Sequence, residues 1–91
     1  MVVAVTPSAN ATETFWLAKV TGEKSEVPLV YNIRYYNYNK QKKGWIIMSG
    51  NTAYGWTPHE AIMAAGIEFN LDKSMKISSQ RLIQKKITNV Q

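Results

Sequence analysis

Residues 29–38, LVYNIRYYNY, alternate so regularly that they decide the fold class: Leu29, Tyr31, Ile33 and Tyr35 fall on one side of an extended strand, and Val30, Asn32, Arg34, Tyr36 and Tyr38 on the other. One face packs and the other shows. Residues 39–44 (NKQKKG) form a basic turn into a short strand over 45–48, which closes an antiparallel pair. A second turn, Ser49-Gly50-Asn51, leads into a strand over 52–56. Upstream, residues 14–21 (TFWLAKVT) read as a strand, with Trp16, Ala18 and Val20 on one face and Phe15, Leu17 and Lys19 on the other. The charged, glycine-bearing residues 22–26 suit a hairpin loop, and Pro28 marks the entry to the next strand. A meander of such short strands must curl to cover its own interior, as a small barrel or a strongly twisted antiparallel sheet.

After residue 56 the period changes. Thr57-Pro58-His59-Glu60 has the form of a capping box with proline at the first helical position. A helix of about two turns is predicted through 61–65, ending at a left-handed Gly66. Ile67, Phe69 and Leu71 then alternate, Asp72-Lys73-Ser74 forms a turn before 75–77, and residues 79–90 carry Leu82, Ile83 and Ile87 at helical spacing. At the other end, residues 6–13 are polar and aperiodic, and 2–5 either fray or add a small strand. Residues 1–13 thus read as a flexible lead-in, and 14–91 as one α+β domain with one short capped helix and a C-terminal helix.

A chain of 91 residues supports a single thin core. With no cysteine it has neither disulfides nor thiolate chemistry, and no apolar run approaches the roughly 20 residues that span a bilayer. Ala9-Asn10-Ala11 resembles a signal-cleavage site without the basic start and long apolar stretch that such a leader needs, so the chain reads as soluble and intracellular, cytoplasmic or nuclear. His59 is the sole histidine, and Met63 stands where a zinc-protease helix would place its second one. No serine lies in a nucleophile elbow, and the five glycines are isolated, which removes phosphate-binding and dinucleotide loops. Glu68 with Asp72 is the one carboxylate pair left, and it reads as a solvated turn. The expectation is a non-enzyme without metal or cofactor.

What remains is aromatic and basic. Eight of the ten aromatic residues, Trp16, Tyr31, Tyr35, Tyr36, Tyr38, Trp45, Tyr54 and Trp56, fall in the predicted sheet, more rings than so small a core hides. If Tyr35 is inside, then Arg34, Tyr36 and Tyr38 look outward. Charge is uneven: two lysines against three glutamates give residues 1–33 a net −1, whereas nine cations against three acids give residues 34–91 a net +6. Lys40, Lys42 and Lys43 crown one hairpin, and Lys76, Arg81, Lys85 and Lys86 lie near the end, two clusters placed to flank the aromatic face. Cations that neutralise phosphates beside rings that stack on bases suit nucleic acid. The expected contacts are Arg34, Lys40, Lys42 and Lys43 to phosphate, with Tyr36, Tyr38 and Trp45 stacking. The competing expectation is a protein or peptide partner, including a second copy of the chain paired at a strand edge.

Phe15-Trp16-Leu17-Ala18-Lys19-Val20, Ile33-Arg34-Tyr35-Tyr36 and Gly44-Trp45 together resemble the opening strands of SH3-type barrels of the Tudor or chromo-like kind, over residues 14–56. That resemblance implies an SH3-like barrel acting as a nucleic-acid binder, a protein adaptor, or a reader of methylated lysine. In the last case Trp16, Tyr36, Trp45 and Tyr54 are the aromatic-cage positions, holding a cation against their ring faces.

Overall fold

The computed structural model describes residues 1–24 and 30–89. Six strands and one helix appear there: β1 (Val2–Val5), β2 (Trp16–Lys24), β3 (Val30–Asn39), β4 (Gly44–Ile47), β5 (Tyr54–Pro58), β6 (Ile62–Ala65) and α1 (Ile77–Asn89). All pairings are antiparallel, in the order β4-β3-β2-β1-β6. The other edge of β3 is shared end to end: β4 pairs with Tyr36 to Asn39, and β5 with Val30 to Arg34. The architecture is α+β, an antiparallel sheet with a C-terminal helix, and among the described residues its ladder does not close. The predicted loop residues Ser25 and Glu26, the strand entry at Pro28, Leu29, and Val90 at the end of the predicted tail helix lie outside the described residues.

One short connection bends the sheet. β5 and β6 lie on opposite edges, yet only the 3₁₀ turn His59–Ala61 separates them. Four Cα steps from Pro58 to Ile62 reach at most about 14 Å. Laid flat, the five strands β5-β3-β2-β1-β6 would put those edges about 19 Å apart. The sheet therefore curls, and Ala61 and Ile62 pack against the face that the curl encloses, with Val3, Val5, Ala18 and Ile33. The opposite, outer face carries Ala4 and Leu17, which α1 and the segment before it cover with Ile83, Ile67 and Met75. Ser79 is buried in this layer and accepts a hydrogen bond from the Glu68 amide at 2.8 Å, so its hydroxyl is satisfied.

The strand alternations read from the sequence hold. Trp16, Val20, Tyr31 and Tyr35 face inward, whereas Phe15, Leu17 and Tyr36 face outward. Two expectations need correction. The predicted helix after residue 57 is a single 3₁₀ turn followed by β6, and no side chain caps it. Thr57 cannot serve as the cap, because β5 seals it on the inner face opposite Tyr31. A two-turn helix is marginal by itself, and the open edge of β1 offers residues 62–65 a ladder instead, irregular at Met63. Gly66 is left-handed as expected, at φ +73°, but it ends a strand. The second correction concerns residues 2–5: of the two alternatives, the added strand is found. It is central, with β2 on one side and β6 on the other, and Val3, Ala4 and Val5 are buried. Packing thus begins at Val2 and not at Thr14.

α1 covers Ile77–Asn89, starting two residues before the predicted tail helix, and no described helix is long and apolar enough to cross a membrane. Its docking face is testable. Ile83→Ala removes a buried side chain beneath the helix and is expected to cost about 2–5 kcal/mol in chemical denaturation. Leu82→Ala, one residue away and exposed, should change stability by no more than about 0.5 kcal/mol.

Candidate nucleic-acid interface

The period of two along β3 sends Asn32, Arg34, Tyr36 and Tyr38 to the outer face, and the ladders set their neighbours. Trp45 lies opposite Tyr38 and Ile47 opposite Tyr36, while Tyr54 lies opposite Arg34 and Trp56 opposite Asn32. Arg34 is fixed at both ends of its head group. Its Nε donates to the Met48 carbonyl at 2.7 Å, and its guanidinium carbon sits 5.4 Å from the centre of the Tyr54 ring. Tyr36 leans on Phe69 at 5.2 Å, and burial pushes its phenol up, with the Arg34 charge pulling weakly the other way. It therefore stays a neutral hydroxyl well above neutral pH.

Trp45 joins the sheet to the segment before α1. Its ring meets Tyr38 edge-on at 5.3 Å and Phe15 at 6.0 Å, and its amide donates to the Lys73 carbonyl at 2.9 Å. That close approach needs the glycine before it, since a Cβ on Gly44 would sit 2.8 Å from the Lys73 Cβ and 2.9 Å from the Asp72 carbonyl. The opposing turn is built to hold still. Asp72 accepts from the Ser74 amide at 2.9 Å and also from the Ser74 hydroxyl, and the Asn70 amide donates to the Ser74 carbonyl at 2.7 Å. Beside it Lys40, Lys42 and Lys43 stand exposed on the β3–β4 hairpin, whose bend is closed by the Lys42 amide donating to the Asn39 side chain at 2.9 Å. A groove of about 360 Å³ runs between hairpin and helix, walled by Phe15, Tyr38, Trp45 and Ile83 with Lys43 and Gln80 at its polar side.

Arg34, Tyr36, Tyr38, Lys40, Lys42, Lys43 and Trp45 all belong to the outer face of β3 and β4 or to the hairpin between them. Tyr36 and Trp45 are half-buried and spend part of their ring surface on packing. The four aromatic-cage positions do not form one set: Trp16 lies edge-on to Tyr35 at 5.9 Å and lines a depression with Tyr36, whereas Trp45 packs with Tyr38 and Phe15, and Tyr54 lies under Arg34. Nor do the C-terminal cations flank the rings. Lys76 pairs with Glu68 at 3.1 Å, Lys86 lines a separate depression with Glu60 and Ile62, and the helix side of the groove is formed by Gln80, Ile83, Gln84 and Ile87. Glu68 and Asp72 are each engaged separately, and His59 receives or donates a hydrogen bond with the Tyr31 hydroxyl at 3.1 Å. Among the described residues no group of His, Cys, Asp or Glu is placed to hold a metal ion.

Sequence reasoning missed two residues. Trp56 is the most exposed ring of this face, 67% accessible against 56% for Tyr54 and 43% for Tyr38. Its direction follows from the structure around Gly55, where a Cβ would sit 3.3 Å from the Tyr35 ring, so the neighbours on either side of Gly55 point outward. Lys19 is the other, directly opposite Arg34 on β2.

The Asp72 turn gives a pH test. The Ser74 donors hold the Asp72 carboxyl below the usual carboxylate range. A carboxyl lowered by folding stabilises above its unfolded pKa, and that contribution is lost as pH falls through the lower, folded value. Ser74→Ala should therefore raise the Asp72 midpoint in an NMR titration, and a midpoint that stays put would show that the hydroxyl does not hold this carboxylate.

No family model, no curated protein and no solved structure matches the chain.

Proposed function

We propose that this chain is a non-catalytic module that binds nucleic acid on the outer face of its sheet, inside the cell. The observation that carries the reading is the pairing of exposed rings with unopposed cations on one surface. Tyr38, Tyr54 and Trp56 are exposed there, Arg34 lies over Tyr54, and the three hairpin lysines extend the same surface. No aspartate or glutamate occurs between Glu26 and Glu60, so β3, β4, β5 and their turns present positive charge without a compensating carboxylate of their own. Such a surface attracts polyanions at long range and offers flat apolar faces at contact. The resemblance to SH3-type barrels of the Tudor or chromo-like kind belongs to the same proposal. It is supported by the three-residue turn that carries the chain from β5 on one edge to β6 on the other.

Four phosphate contacts, from Arg34, Lys40, Lys42 and Lys43, set the expected salt dependence. Binding of a labelled oligonucleotide should weaken about 50-fold between about 50 and 200 mM salt. Replacing the three lysines by glutamine should reduce that to about 3-fold over the same range. Absence of oligonucleotide binding at both salt concentrations overturns the reading in favour of a protein or peptide partner.

A further inference from the structure

We propose that the ligand is single-stranded and that its centre of binding lies on the β2–β3–β5 part of the face, with Lys19 and Arg34 sharing one phosphate while Tyr54 and Trp56 stack successive bases. This rests on the nucleic-acid reading and adds the strand class and the position. Lys19 and Arg34 occupy directly opposed positions on β2 and β3, where side chains leave the backbone about 5 Å apart. Like charges so placed repel, and among the described side chains neither has a carboxylate partner. Lys19 lines a depression on the outer face with Tyr36, Ile47 and Phe69, and Arg34, opposite it on β3, is anchored by the Met48 carbonyl and lies over the Tyr54 ring. A phosphodiester between them turns the repulsion into two charge-assisted contacts.

The rings beside this pair have the spacing of an unstacked strand. Tyr54 and Trp56 are two residues apart on β5, hence about 7 Å along it. That is about twice the 3.4 Å rise of stacked bases, so each ring takes its own base only when the strand is extended. A duplex keeps its base faces covered and cannot use them. Asn32 lies opposite both Trp56 and Gly22, and its amide borders the missing side chain of Gly22, 3.3 Å from where a Cβ would be. It thereby offers a donor and an acceptor to the edge of the base on Trp56.

The test uses the full chain with a fluorescent 12-mer of oligothymidylate and a 12-base-pair duplex at about 50 mM salt. The single strand is expected to bind at least about 10-fold more tightly than the duplex. Trp56→Ala should weaken single-strand binding about 10-fold, with Trp56→Phe close to the parent, and because Trp56 is exposed neither change threatens the fold. Lys19→Gln leaves the shared phosphate to Arg34 alone, so it should weaken single-strand binding several-fold while lowering the salt slope by less than about 0.7. Equal affinity for duplex, or unchanged binding in both Trp56→Ala and Lys19→Gln while the hairpin lysine variant loses affinity, overturns this inference and leaves the nucleic-acid reading standing. Absence of binding to either oligonucleotide removes both.

Discussion

His59, Glu60 and Ala61 are all the chain that separates a strand on one edge of the sheet from a strand on the other, and the shortness of that link is the constraint on which the remainder depends. It forces curvature, and curvature gives the two faces different fates. The enclosed face is filled by small and branched residues, Val3, Val5, Ala18 and Ile33, and finished by Ala61 from the link itself. The outer face is too broad for one 13-residue helix to cover. α1 and the segment before it take the part over Ala4 and Leu17 and reach Tyr36 and Trp45, leaving β5 and the rest of β3 and β4 to solvent.

The chemistry of the candidate interface follows from that partial cover. Rings near the helix, Tyr36 and Trp45, are held by packing against Phe69 and Phe15 and give the surface its shape. Rings beyond its reach, Tyr54 and Trp56, stay exposed, with Arg34 lying over the Tyr54 ring. Arg34 stands between the two groups, fixed by a backbone carbonyl and by the Tyr54 ring, so its charge is pre-positioned and loses little freedom on meeting a phosphate.

The lysine hairpin is held differently. Gly44 lets its base rest against the Asp72-Lys73-Ser74 turn, whose own hydrogen bonds are local, while the lysine side chains at its tip remain in water. Exposed charges on a hydrogen-bonded base suit electrostatic capture, whereas the fixed guanidinium and the rings suit register.

Much of this was legible along the chain. The alternation in residues 29–38 settled which side chains of β3 share a face, and the rings of residues 16–56 with the positive charge of residues 34–91 pointed to a basic aromatic face, because period and composition are local properties. The helical spacing of Leu82, Ile83 and Ile87 was enough to place a helix at the end for the same reason. What local reading could not reach was competition between distant partners. Residues 62–65 have alanines that favour a helix and a capping motif before them, yet they become β6 because β1 presents an open edge there. Residues 2–5 become a central strand because β6 and β2 both need them. Whether Trp16 and Tyr54 meet, and whether Lys19 stands beside Arg34, depends on register and on which way the sheet curls. Backbone periodicity determines the face of a side chain within its own strand, and only the tertiary pairing of strands decides which other side chains share that face.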